Sequence, residues 1–278
     1  MAKNIDDDTV EGFGDEWSRF TYGDVSSEEI GVLFSRYFDI FPFAELATGA
    51  CGFDAGCGNG RWARMVAPKV GALYCVDAST KALDIARQTL KDQNNCRFLL
   101  SSIDEMPIAD GSMDFGYSLG VLHHVPNTAA GLEACVAKLK PGAPFLLYLY
   151  YAFDNRPAWF RAIWRPSDFL RRGISRLPHT YRYCASQILA ATVYYPLARS
   201  SLLLEKSGAS VSSIPLSSYR RTSFYTMRTD ALDRFGTRLE QRFTALQVEN
   251  MMAAAGLERI RFSENEPYWC AVGYKVAE

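Results

Sequence analysis

An α/β protein is what this sequence predicts: a doubly wound, mostly parallel sheet of seven strands with a mainly helical segment inserted late in the chain. Three observations carry that expectation. Strand-like and helix-like runs alternate over residues 50–151, the alternation stops over 152–245, and it resumes as helix, strand, strand from 249 onward. Strands that alternate with helices of about ten residues require crossover connections, and so a parallel sheet.

The elements follow in order. Residues 1–43 are expected to form a helical cap. Nine acids stand against Lys3 and Arg19 over 1–30, and Phe13, Trp17 and Phe20 recur at spacings of four and three, which suits one face of a helix. A second helical pattern over 28–41 carries Ile30, Leu33, Phe34, Tyr37 and Phe38 and ends at Pro42. The core is expected over 44–151, with strands at 51–54, 72–77, 97–100, 114–118 and 144–150 and helices at 61–67, 80–91 and 128–139. Pro141 and Gly142 punctuate the last of these helices. Residues 152–245 are read as an inserted lid. Residues 246–278 complete the core with a helix and strands at 257–262 and 268–276.

Composition narrows the function classes. The chain has 278 residues, 22% of them charged, and a net charge of -1, which gives no global pull toward nucleic acid or membrane. Seven cysteines occur without a CxxC pair, so neither a zinc site nor a disulfide framework is expected. Most sit in apolar runs, where a thiol behaves as a small hydrophobe, and that pattern fits a cytoplasmic protein. The acidic start argues against a signal peptide. The longest apolar stretch, 188–204, is interrupted by Pro196 and Arg199 and is short for a membrane span, so stable membrane insertion is not expected. Nothing in the sequence sets an oligomeric state.

The most informative segment is Phe53-Asp54-Ala55-Gly56-Cys57-Gly58-Asn59-Gly60-Arg61-Trp62, between a strand and a helix. Its glycines let the backbone turn tightly and approach a ligand with no Cβ in the way. The G-x-G-x-G spacing, followed by Arg61 and Trp62, departs from the dinucleotide fingerprint. Asp77 ends the second strand, 17 residues after Gly60, where a carboxylate can accept from both ribose hydroxyls of a nucleoside. The third strand runs out at Ser101-Ser102-Ile103 and the fourth at Ser118-Leu119-Gly120. All are carboxyl ends of parallel strands, where ligands bind in open α/β sheets.

With these residues the chain resembles the class I S-adenosylmethionine (SAM)-dependent methyltransferases of the small-molecule branch. The resemblance rests on Phe53–Gly60, Asp77, Met106-Pro107-Ile108-Ala109-Asp110-Gly111-Ser112-Met113-Asp114, the segment 118–125, and 139–142 before a strand. It covers about residues 44–151 and 247–278. It implies a Rossmann-like fold whose last strand is antiparallel, with SAM as cofactor. It also implies that Asp54 and the glycine loop lie along the methionine part, Asp77 on the ribose and Ile103 beside adenine. Family members often have an acid where Ser102 stands. The candidate cofactor set is Asp54, Gly56, Cys57, Gly58, Asp77, Ala78, Ser102, Ile103, Ser118, Leu119 and His123, with Trp17 and Tyr22 closing over it. Trp17, Phe20 and Tyr22 could instead anchor the first helix.

Methyl transfer from a sulfonium needs alignment of the acceptor and exclusion of water. It needs a base only if the acceptor arrives protonated. His124, just past the fourth strand, is the candidate base, because its ordinary pKa suits neutral pH; a structural packing role is the alternative. The lid carries fifteen basic residues against six acidic ones. That excess suits a solvated basic face, a pocket for an anionic acceptor, or a membrane-surface helix around 186–204. Tyr225 and Arg228 are the candidate acceptor contacts, with a salt-bridge seam to Asp230 and Asp233 as the alternative. The expected reaction is methylation of an oxygen on a small-molecule acceptor, with N- or C-methylation, or SAM binding without transfer, as rivals.

Overall fold

The computed structural model describes residues 3–21, 23, 25–211 and 213–277. The chain forms two compact units. One comprises Met1–Thr21, Ile30–Ala152 and Leu239–Glu278, and the other 22–29 and Phe153–Arg238.

The first unit is built on β1 (Cys51–Ala55), β2 (Ala72–Asp77), β3 (Cys96–Leu100), β4 (Phe115–Leu119), β5 (Pro144–Tyr148), β6 (Leu257–Phe262) and β7 (Cys270–Lys275). They form a seven-stranded sheet in the order β3-β2-β1-β4-β5-β7-β6. Strands β1 to β5 pair in parallel and β7 is antiparallel to both of its neighbours. The expected doubly wound sheet with an antiparallel last strand is therefore present. The strand order reverses between β1 and β4, which opens a crevice at their carboxyl ends.

The helices of the chain are α1 (Asp7–Arg19), α2 (Ser27–Phe38), α3 (Ala63–Val66), α4 (Thr80–Thr89), α5 (Thr128–Ala137), α6 (Ala158–Ile174), α7 (His179–Leu189), α8 (Tyr195–Lys206), α9 (Phe224–Gly236) and α10 (Ala245–Ala254). Side-chain caps start several of them. Asp6, Ser79, Asn127 and Ser223 accept from backbone N–H groups in the first turns of α1, α4, α5 and α9, and Thr244 with Gln247 forms a capping box on α10.

Successive sheet residues feed two cores. Phe115, Tyr117, Leu146 and Tyr148 pack with Phe34, Phe38, Val66 and Leu83 of α2, α3 and α4. Phe53, Phe145 and Leu147 pack with Leu132, Val136, Val248 and Met252 of α5 and α10. This is the period of two of a strand buried on both faces. Across the β1–β4 pair, Gly52 lies opposite Phe115 and Phe53 opposite Gly116. A Cβ on Gly52 would lie 2.3 Å from the Phe115 ring, and one on Gly116 would lie 2.4 Å from the Phe53 ring. Each glycine makes room for the other strand's phenylalanine.

Two strands are shorter than expected for a common reason, and the helix expected from 249 begins earlier, at Ala245. The run expected as one strand over 144–150 ends at Tyr148, and that expected over 268–276 is Cys270–Lys275. Beyond Tyr148 the neighbouring β4 has already ended, and Gly120 N–H donates to the Tyr148 carbonyl. Leu149 and Trp269 continue the pairing only through long bonds of 3.4 and 3.3 Å.

The second unit is helical, and a π-helical segment, Ala190–Tyr194, joins α7 to α8. Ile174, Tyr194, Ala198, Tyr219, Met227 and Phe235 lie in its core. Many of its arginines hold backbone carbonyls or acids of the same unit. Arg182 donates to the Leu177 and Gly236 carbonyls at 2.5 and 3.3 Å, and Arg171 to that of Thr237 at 3.1 Å. The latter two lie at the carboxyl end of α9, where cations are favoured. Arg220 and Arg221 both bind Glu205 and hold its carboxyl below the usual carboxylate range. No helix among the described residues is long and apolar enough to cross a membrane.

Candidate functional site

The carboxyl ends of β1, β2 and β4 carry most of the residues singled out from the sequence. After Ala55 the chain turns back on β2: the N–H groups of Gly56 and Cys57 both donate to the Val76 carbonyl, at 2.8 and 2.9 Å. Gly56, Gly58 and Gly60 all have positive φ, at 84°, 54° and 79°, a region that favours glycine. Packing adds a second constraint. A Cβ on Gly56 would lie 2.4 Å from Val121, and one on Gly58 would lie 3.0 Å from the Trp17 indole.

Asp77 is tied to this loop. One carboxylate oxygen accepts from Gly58 N–H and the other from Ser79 N–H, each at 2.8 Å. Burial pushes the carboxyl up, and the N–H groups of Ser79, Gly58 and Ala78 oppose that shift. Each carboxylate oxygen has two lone pairs, so acceptance from the backbone leaves capacity for a diol. Asp77 therefore shapes the loop as well as facing it. Asp54 lies deeper. Burial pushes its carboxyl up to about 8, against the neighbouring Tyr117 hydroxyl.

The remaining candidates divide by what their side chains do. Ser118 is fully buried and donates to the Ala55 carbonyl at 2.9 Å, which pins the end of β1. Cys57, Leu119 and Ile103 are buried among the core side chains. Ser102 lies beside Asp104, and its hydroxyl and the Asn4 N–H hold the Asp104 carboxyl low against burial. Asn4 also exchanges hydrogen bonds with Asn127, at 2.8 and 2.7 Å. The segment before α1 is thus fastened both to the loop after β3 and to the start of α5. α1 then crosses to α4, where a Cβ on Gly14 would lie 2.7 Å from the Ser79 hydroxyl. That path sets Trp17 over Gly58, with the Arg61 guanidinium 5.5 Å from the indole centre. Tyr22 lies outside the described residues.

His123 and His124 follow β4 in a 3₁₀ turn, Leu122–His124. The His123 ring is 0% exposed and stacks on Tyr150 at 3.9 Å. Burial, with His124 and Arg242 nearby, pushes its pKa well down, so it packs as a neutral ring. The His124 ring lies 5.0 Å from that of Phe13 of α1, and its Nδ1 is 2.7 Å from the Leu239 carbonyl. A carbonyl only accepts, so Nδ1 carries the proton and, in the neutral ring, Nε2 keeps the lone pair. Gln241 reinforces this turn: its N–H donates to the His123 carbonyl at 3.0 Å and its side chain to that of Val125 at 2.7 Å. Leu239 and Gln241 had no signal in the sequence, because they meet the histidines from more than a hundred residues away in a segment with neither motif nor periodicity.

In the helical unit, Tyr225 and Arg228 lie on α9. Arg228 donates to the Gln187 side-chain oxygen, and to the Tyr183 hydroxyl at 2.8 Å. Asp230 accepts from the Tyr219 hydroxyl at 2.7 Å. Among the described residues no cluster of three or more His, Cys, Asp or Glu could hold a metal ion.

The bare loop backbone, the spare acceptor capacity of Asp77 and the buried acid at Asp54 together fit a nucleoside cofactor that carries a cation. Comparison with known proteins agrees with that fit. Residues 53–147 match the family model described as "Methyltransferase domain". The chain is 30% identical over 111 residues to phosphoethanolamine N-methyltransferase 2 of Caenorhabditis elegans, covering 39% of this chain and 25% of the worm protein. It is 25% identical over 136 residues to the ubiquinone biosynthesis O-methyltransferase of Xanthomonas campestris, covering 48% and 56% respectively. The chain thus spans about half or less of these curated relatives. Among solved structures, SAM-dependent methyltransferases from Thermotoga maritima and Methanosarcina mazei share the fold, each with a TM-score of 0.52. The first is 13% identical, covering 97% of this chain and 100% of that one; the second is 16% identical, covering 86% and 99%.

Proposed function

We propose that this chain, whose residues 53–147 match a methyltransferase domain model, is a class I SAM-dependent methyltransferase that transfers the methyl group of SAM to an oxygen of a small-molecule acceptor. SAM, when bound, supplies a methyl group on a positively charged sulfur. The chain's own residues bind, align and deprotonate. Gly56 to Gly60 offer bare backbone to the methionine part, Asp77 accepts from the ribose hydroxyls, and Ile103 and Ser102 flank the adenine. Asp54 is a buried acid near neutrality, able to give up its proton when a cationic group arrives. Trp17 and Phe13 exclude water from the mouth of the site.

The observation that supports base-assisted transfer, to oxygen or to nitrogen, is the 2.7 Å contact between His124 Nδ1 and the Leu239 carbonyl. It fixes the tautomer whose Nε2 can take a proton from a hydroxyl, as the orienting partner of a general base must do. Arg228, with Tyr225, remains the candidate for holding an anionic group of the acceptor. The likeness to an N-methyltransferase favours a second reading, an amine acceptor, for which His124 would serve equally once the nitrogen arrives protonated.

The test is incubation with methyl-labelled SAM and a metabolite extract, followed by mass spectrometry of whatever gains the label. Fragmentation separates methoxy from methylamino products. His124→Ala should lower kcat by a factor of about 100 or more and leave SAM affinity in place. A variant that keeps most of its activity would make His124 a packing residue.

A further inference from the structure

Helix α6 carries apolar side chains on its outward side as well as on its inward one, where Phe160 and Trp164 pack against Phe153. Its inward side carries Asp168, Arg171 and Ile174, all buried. Its outward side carries Trp159, Ile163, Phe169 and Leu170, which are 47%, 57%, 82% and 47% exposed. At about 3.6 residues per turn, Trp159, Ile163 and Leu170 fall along one line of the cylinder, and Phe169 lies about 100° round from it. Arg161, Arg165 and Arg172, also exposed, form a second line beyond Phe169, which stands between the apolar line and the cationic one. The helix has one carboxylate, Asp168, and it is turned inward onto Arg171 at 2.9 Å and Arg172 at 2.8 Å. The exposed face of α6 is therefore apolar and cationic, with no exposed acid.

The imbalance extends across the helical unit. Of sixteen exposed large apolar residues among those described, thirteen lie within 153–238. Residues 152–245 also carry the chain's basic excess, while the remainder of the chain is net acidic.

We propose that the outward face of α6 seats on the surface of an anionic lipid bilayer. Aromatic and aliphatic side chains on one arc, with arginines at its margin, match a helix lying in the headgroup layer. The apolar arc enters the acyl boundary and the guanidinium groups bind lipid phosphates. The absence of an exposed acid on this face supplies the charge complementarity. A second copy of the chain is a poorer occupant, since a like face offers these arginines no exposed carboxylate to pair with. The role needs no membrane span and does not depend on methyl transfer.

The test uses the full chain and sedimented vesicles, either pure phosphatidylcholine or phosphatidylcholine mixed with phosphatidylglycerol. The chain should sediment with the mixed vesicles and not with the neutral ones, and added salt should release it. Ile163→Ser with Phe169→Ser should weaken binding by about tenfold or more, as should Arg161→Gln with Arg165→Gln. All four side chains are exposed, so circular dichroism should stay native. Gly58→Val, which targets the glycine loop, should sediment like the parent, and this separates failure of the cofactor reading from failure of this one. Absence of binding to mixed vesicles would overturn the proposal. So would a serine variant that binds like the parent, since basic adsorption alone would then suffice. Concentration-dependent dimers that vanish in the serine variant, without vesicle binding, would give the face to a second copy.

Discussion

Asp54 illustrates how one residue ties stability to the site. Its carboxyl is pushed up to about 8 from a usual value of 3.8. Between those values the unfolded chain releases a proton that the folded chain keeps. The stabilisation from keeping it is fully present below about pH 4 and is lost as pH rises through about 8. Asp54→Asn cannot ionise in either state. The parent's stability minus the variant's, measured by urea denaturation across pH, should therefore be flat in acid, fall through that window and level off above it. A difference that is constant with pH would mean the carboxyl titrates normally. The position of Asp54 ahead of the glycines was legible in the sequence, and its depth was not. Burial follows from Tyr117 on β4, which no local pattern links to β1. Ser118 teaches the converse: it sits where a cofactor contact was expected, yet its hydroxyl is engaged by the Ala55 carbonyl.

Elements depend on interlocks of the same kind. The reciprocal glycine–phenylalanine pairs across β1 and β4 let the central strands carry large rings without forcing the sheet apart. Gly116→Ala would set a methyl group 2.4 Å from the Phe53 ring and 3.1 Å from that of Phe145. Overpacking of this kind costs about 1–3 kcal/mol, read as a lowered denaturation midpoint. Adding Phe53→Leu should recover part of the loss, with a coupling of about 0.5 kcal/mol or more in a double-mutant cycle. Strictly additive losses would mean the two positions do not compete for space. The strand pattern at 51–54 and 114–118 announced both elements. Their register did not follow from it, because alternation says which face a side chain takes and not which partner it meets.

For the whole molecule, the alternation over 50–151 and its return after 249 made the sheet legible, and the break between them made the insertion legible. The order in space was less so: β7, last in sequence, lies inside the sheet between β5 and β6. Every residue of β5 is buried, with β4 on one side and β7 on the other. A chain ended after Arg238 would lack α10, β6 and β7 and leave β5 as a bare apolar edge, a template for aggregation. Such a truncation should be recovered as insoluble or dye-binding aggregate, whereas the full chain stays soluble. A soluble, cooperatively unfolding truncation would show that the first five strands form a complete core. The insertion therefore interrupts a sheet that cannot close until the last forty residues (239–278) have been made. The basic excess of the insertion was read from composition, but the engagement of many of its arginines with helix-end carbonyls was not, since those contacts join separate helices.

The path of α1 has a kinetic consequence. With the Trp17 indole 3.0 Å from the position of a Cβ on Gly58, closer than an ordinary van der Waals contact, a ligand that reads the bare backbone there meets the ring on its way in. Association is then governed by how often α1 lifts, and the same barrier slows escape. Trp17→Ala should speed both arrival and departure of SAM in stopped-flow measurements, shortening residence by more than it changes affinity. Equal rates in parent and variant would mean that the indole is no gate. Anchored through Asn4 at one end and packed on α4 along its length, the first helix would act as a latch that decides how long the loop keeps what it has bound.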